Sequence, residues 1–185
     1  MGLGASYCYD FVWWQEENRI MSDVPDYGNT GGTGDRQAII TVSTDLTYIN
    51  QLVYLVDGSF GNSFYFKNQS CVDKFLKFDF GVGAVKIITE AKWYQSGGTQ
   101  SGTWKWQGSN DDANWSDIGG AFYLSAFQAI QTQTSLAGNA LGYRYYRLLG
   151  VSGTASAAPY VQEIEFKIAD ASASAITLPL FLIAL

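Results

Sequence analysis

Short apolar runs with a two-residue period, separated by clusters of Gly, Asn, Asp and Ser, dominate the chain from residue 38 onward. The clearest is Phe75-Leu76-Lys77-Phe78-Asp79-Phe80-Gly81. Its alternation places Leu76, Phe78 and Phe80 on one face and Lys77 and Asp79 on the other, which predicts a half-buried strand. Thr103-Trp104-Lys105-Trp106-Gln107 repeats the pattern and predicts both tryptophans in a core. Further strands are expected at Ala38–Ser43, at Gln51–Val56 before the Asp57-Gly58 turn, from Val85 through Trp93-Tyr94, near Ile118, within Leu141–Gly150 and at Tyr160–Ile168. In the last of these, strict alternation groups Val161, Glu163 and Glu165 against Gln162, Ile164 and Phe166. Ser22–Arg36, Gln95–Gly102 and Gly108–Asn114 carry the turn residues and are expected as loops, the first of them exposed. Tyr7–Ile20 alternates too weakly to decide between strand and helix end. No fixed-period repeat is present, which removes solenoids and propellers. Short strands between turn clusters predict an all-β antiparallel sandwich.

The ends differ from this middle. Residues 1–37 form an N-terminal extension with its Gly-rich loop, 38–168 the sandwich, and 169–185 a C-terminal tail that turns apolar at Ile176-Thr177-Leu178-Pro179-Leu180-Phe181-Leu182-Ile183. The apolar run is far shorter than the roughly 20 residues of a membrane helix, and Pro179 interrupts it, so no membrane span is expected. Ile176, Leu178, Leu180, Phe181, Leu182 and Ile183 are candidates for docking onto a neighbouring subunit; packing on the chain's own domain is the equal alternative, and membrane contact a lesser one. Met1-Gly2-Leu3-Gly4-Ala5-Ser6 fits the short myristoylation pattern, one frequent by chance. No signal peptide is legible, since Met1–Ser6 lacks a basic start and Asp10 and Glu16 follow.

Composition narrows the class. Over 185 residues the chain is 47% hydrophobic and 16% aromatic but only 15% charged, which suits one core and strands rather than helical bundles. The net charge of −6 argues against a nucleic-acid partner, because phosphate binding needs clustered Lys and Arg. There is no His, so the commonest general base and zinc ligand are missing. The carboxylate pairs Asp111-Asp112 and Glu163/Glu165 are better read as turn and surface residues, and no nucleophile-elbow pattern frames a Ser. The chain is therefore expected not to be an enzyme. Cys8 and Cys71 leave open one bridge or two buried thiols.

Four features in order then carry a family resemblance: the Asp57-Gly58 turn, Phe78-Asp79-Phe80-Gly81, the segment Ser109-Asn110-Asp111-Asp112-Ala113-Asn114-Trp115, and Tyr145-Tyr146-Arg147-Leu148 followed by Glu163-Ile164-Glu165-Phe166. Together they resemble the discoidin, or coagulation-factor type C, domains among the galactose-binding-like jelly rolls, over roughly residues 38 to 168. Asp112 stands where the family pattern usually has Gly, and Asp is among the few residues that accept the left-handed region. The resemblance implies a non-catalytic module that binds a sugar, phospholipid head group or protein through loops at one end. It also implies a structural calcium ion, with Asp57 and Glu163 as side-chain ligands; an Asx turn and a surface Glu are the alternatives. A sugar needs a flat aromatic face and planar amides, which makes Trp93, Tyr94, Gln95 and Gln100 the candidate ligand contacts, although alternation must turn one of Trp93 and Tyr94 inward. Lacking a framing Cys pair, the chain looks more like a microbial or phage member than an animal receptor domain. The expected role is a carbohydrate-binding or adhesion module meeting a cell-surface glycan, as part of a larger assembly such as a virion tail fibre or capsid decoration. The alternative is an assembly protein whose sandwich and ends contact other subunits without a small ligand.

Overall fold

The structure, a computed structural model, describes residues 24–96, 100–125, 130–158 and 160–170. In chain order the strands are β1 (Thr41–Thr44), β2 (Tyr48–Ile49), β3 (Tyr65–Phe66), β4 (Gln69–Ser70), β5 (Phe75–Asp79) and β6 (Lys86–Ser96). They continue with β7 (Thr103–Ser109), β8 (Ser116–Tyr123), β9 (Ile130–Gln133), β10 (Tyr145–Ser152), β11 (Thr154–Ala155) and β12 (Tyr160–Asp170). Among the described residues helical structure is confined to 3₁₀ turns at Leu52–Leu55 and Thr134–Leu136.

One sheet has the order β1-β5-β10-β7-β8 and the other β12-β6-β9, with the short pairs β2-β3 and β4-β11 closing the edges. Every named pairing is antiparallel. The expected alternation holds on β5, where Leu76, Phe78 and Phe80 are buried while Lys77 and Asp79 face outward, and on β7, where Trp104 and Trp106 are core. Phe166 of β12 packs edge-on against Phe78 at 5.1 Å, Phe80 at 5.7 Å and Trp106 at 6.1 Å, so one ring joins the two sheets. Tyr146 is buried with its hydroxyl satisfied, donating to the Lys86 carbonyl and accepting from the Ile88 amide and Asn139.

Several expectations are corrected. Gln51–Val56 is a 3₁₀ turn over Leu52–Leu55, whose short apolar run buries Leu55 without strand pairing. The loop ending at Arg36 is not wholly exposed: Gly31, Gly32 and Arg36 are buried, and the backbone of Asp26 and Gly32 hydrogen-bonds to β12. The even alternation expected on β12 breaks at Gln162, where a bulge lets Val161 share the core with Ile164, Phe166 and Ile168 while Glu163 falls on the opposite parity. Trp115 lies half-buried beneath the Arg147 guanidinium, 4.0 Å from its ring centroid. Asp112 adopts φ +58°, the left-handed conformation expected of it. Cys71 is a buried free thiol, and Cys8 lies outside the described residues, as do the weakly alternating segment 7–20 and the apolar tail with its docking candidates Ile176 to Ile183. Among the described residues no helix is long and apolar enough to cross a membrane.

The turn segments are held by carboxylates. Arg144 donates to both oxygens of Asp79 at 2.7 and 2.8 Å, which holds that carboxyl below the usual range. Asp111 accepts from the Asn114 side chain and amide, the Ala113 amide and the Ser109 hydroxyl, and is depressed more strongly. Lys105 and Gln107 do the same for Asp117. Because these carboxyls have lower pKa values folded than unfolded, their contribution is complete above the unfolded value and lost as pH falls through it and below. The urea midpoint should thus stay flat at neutral pH and fall below about pH 4, and Asp79→Asn should make that fall shallower. Phe166→Ala removes the ring between the sheets and should cost about 3–5 kcal/mol in the same measurement.

Candidate functional site

The last residue of β6, Ser96, lies at the end of the sandwich where β12 begins. There Ile49 pairs with Tyr65, Phe64 exchanges two backbone hydrogen bonds of 2.7 Å with Val161, and Tyr160 pairs with Ser96. The strands β2, β3, β12 and β6 thus run side by side. Buried Phe64, Phe66 and Val161 point inward, so alternation turns Tyr65 and Tyr160 outward. Their rings meet edge to face at 5.1 Å, with Tyr160 46% exposed. One step along β6, on the same outward parity as Ser96, Tyr94 packs against Phe60 at 4.9 Å, and Phe60 is 51% exposed. Gln162 donates to the Phe60 carbonyl at 2.6 Å, fixing that loop against β12. Four aromatic rings from four chain segments therefore stand on one surface, where two facing ring edges and the nearby polar groups of Ser96, Gln162 and Glu165 suit a ligand with both apolar and hydroxylated faces.

The residues singled out in the sequence divide by strand parity. Trp93 and Gln95 are 2% and 1% exposed; the Trp93 indole donates to the Gln95 oxygen at 3.0 Å, and the Gln95 amide donates to the Ser125 carbonyl at 2.9 Å. Their expected ligand role is corrected: both side chains are committed to the interior, where they hold the end of β6 to the segment at 125. Tyr94 is the outward member of the pair. Its hydroxyl donates to Glu165 at 2.6 Å, and burial together with that carboxylate raises the phenol, which stays protonated at neutral pH. Gln100 is half-buried and turns its side-chain oxygen back onto the Gly102 amide at 2.8 Å, while residues 97–99 between these flanks lie outside the described residues. Tyr65, Tyr160 and Phe60 escaped the sequence reading, although Tyr65 between Phe64 and Phe66 puts an aromatic ring on the outward parity of a strand.

The expected calcium ligands are engaged elsewhere. Asp57 caps the Ser59 amide at 2.8 Å and accepts from Asn62 at 2.7 Å. Glu163 is 1% exposed, forms an ion pair with the Arg36 guanidinium, and accepts the Gly58 amide at 2.9 Å. Gly58 holds φ +70°, and a Cβ there would lie 2.6 Å from the Gly34 carbonyl carbon, so only glycine fits where the two loops meet. Burial pushes the guanidinium down to about 10, against the pull of Glu165, Asp35 and Asp57, which leaves it cationic at neutral pH. Among the described residues no cluster of three or more Asp, Glu, Cys or His converges on one point. A calcium ion takes about six to eight oxygens, and the oxygens gathered here already face the Arg36 guanidinium, so the site with Arg36 in place does not fit a metal.

No protein-family model and no curated protein matches this sequence. Solved structures do. A family 32 carbohydrate-binding module from Clostridium perfringens, in complex with GalNAc-β-1,3-galactose, superposes with a TM-score of 0.55 at 12% identity, over 70% of this chain and 96% of that one. The fold is that of the galactose-binding-like β-sandwiches. A second family 32 module from C. perfringens, in complex with galactose, gives 0.54 at 11% identity over 72% of this chain and 97% of that one. A chitosan-binding module derived from a Paenibacillus chitosanase/glucanase gives 0.51 at 13% identity over 77% and 98%. The discoidin-like sandwich expected from the sequence is thus the observed fold, and it is the fold of carbohydrate-binding modules.

Two substitutions separate interior from surface at this end. Trp93→Ala should cost about 3–5 kcal/mol in urea unfolding, whereas Tyr160→Ala should cost under about 1.5 kcal/mol, because only the former opens a cavity.

Proposed function

We propose that this domain binds carbohydrate, without catalysing a reaction, on the aromatic surface formed by Tyr65, Tyr160, Tyr94 and Phe60. The observation that carries the reading is the outward Tyr65–Tyr160 pair, half-buried at Tyr65 and exposed at Tyr160, which sits where β12 meets Ser96. A pyranose presents axial C–H groups on one face and hydroxyls around its rim, so it packs against an aromatic ring and needs polar partners at the edge. Ser96 and Gln162 are polar side chains at that edge. The fold supports the same reading, since the similar modules are named for binding galactose-containing sugars or chitosan. Those modules are carbohydrate-binding units, one of them derived from an enzyme, rather than virion proteins. The expectation of a virion component rested on the missing framing Cys pair, the lack of a legible signal peptide, the Gly-, Ser- and aromatic-rich composition and the apolar tail, the last of which lies outside the described residues.

A glycan array on the full chain, followed by titration of the best hit, tests the proposal. Tyr65→Ala and Tyr160→Ala should each weaken binding at least about tenfold, or about 1.4 kcal/mol, with the melting temperature little changed. Full retention of binding in the double variant would move the site elsewhere.

A further inference from the structure

The geometry points to Arg36 as a built-in substitute for a structural metal ion: its guanidinium fills an oxygen cage, and the domain therefore needs no divalent cation to hold its loops. Arg36 closes the Gly-rich segment Gly31-Gly32-Thr33-Gly34-Asp35 and is 1% exposed. Its Nε donates to the Gly34 carbonyl at 3.1 Å, one Nη to the carbonyls of Gly32 at 3.0 Å and Gly31 at 3.5 Å, and the other to the Ile164 carbonyl at 2.6 Å and to Glu163. Four backbone carbonyls and one carboxylate are the all-oxygen donor set that a hard cation selects. Here the charge arrives covalently, on a planar fork whose N–H groups match those oxygens.

The cage joins three stretches of chain. The Arg36 amide donates to the Val56 carbonyl at 2.8 Å, the Gly58 amide donates to the far oxygen of Glu163, and the Phe166 amide donates to Gly32 at 2.9 Å. The guanidinium carbon lies 5.9 Å from the centre of the Phe166 ring, at the joint between the sheets. Asp35, Asp57 and Glu165 add negative potential around it, the field a bound cation would otherwise neutralise. The same cage sets the path of 57–60, which carries Phe60 to Tyr94. Nothing in this inference depends on whether that surface binds sugar.

Melting of the full chain, with millimolar calcium or with excess EDTA, is the test. The wild type should melt at the same temperature in both. Arg36→Ala leaves Glu163 and the carbonyls without a cation and should melt about 10 °C lower. Calcium or free guanidinium at millimolar concentration should restore part of that loss in the variant, while neither raises the wild type. Arg36→Lys, which keeps the charge but loses the fork, should melt between the two. If Arg36→Ala does not fold, the wild type with and without chelator decides alone. A wild type that EDTA destabilises and calcium restores, or an Arg36→Ala variant that melts like the wild type, overturns the inference.

Discussion

Glu163 sits on a strand between residues that build the core, with no access to water, and an isolated carboxylate there would cost far more than the domain can spare. Its burial is tolerable because Arg36 and the Gly58 amide together complete its hydrogen bonding. The arrangement works only if three distant segments arrive together: the loop of 31–36, the turn at 56–58 and the strand from 163. The pair is thus a constraint on topology as much as a source of stability. It ties the loop that precedes β1 to the last strand of the opposite sheet, and from that tie follow the position of the 57–60 turn and the closing of one edge of the sandwich.

Strand parity decides what each side of that edge presents. The bulge at Gln162 shifts the alternation of β12 by one residue, so that Val161 enters the core while Tyr160 is left outside to meet Tyr65. On β6 the same logic sends Trp93 and Gln95 in and Tyr94 out. A polar side chain such as Gln95, beside a loop full of hydroxyls and amides, looks like a ligand contact in sequence. In the fold it serves as an internal brace, since a buried indole N–H and a buried carbonyl both need a partner and one amide satisfies both.

The resulting surface is distinct from the five-stranded sheet, which carries a row of ion pairs. There Lys77 meets Asp112, Lys105 meets Asp117 and Arg144 meets Asp79, with Arg147 stacked on Trp115. Those charges are partnered within the chain and leave that sheet polar and self-satisfied. The aromatic surface presents Phe60 and Tyr160 as exposed rings, each packed against a half-buried tyrosine. The contrast between a face of ion-paired charges and one that carries partly exposed aromatic rings directs the functional reading to the latter.

The β-sandwich itself was legible because it is local. Alternation at Leu76-Phe78-Phe80 and Trp104-Trp106 expresses a two-residue period that any half-buried strand imposes, and Asp112 could be placed in a left-handed turn from its side chain alone. The site's composition was not legible, because the segment of Phe60 and Tyr65 lies far in sequence from Tyr94 and from Tyr160, and the three become neighbours only through the pairing of β3, β12 and β6. Nor was the fate of Glu163: a carboxylate near an Asp-Gly turn has the same local sequence whether it faces a metal, water or Arg36. The sequence by itself determined the period of the strands and hence the fold. The tertiary structure alone decided which side of each strand was inside, where a single bulge reverses parity, and which cation the buried oxygens enclose, since that depends on contacts across 127 residues of chain.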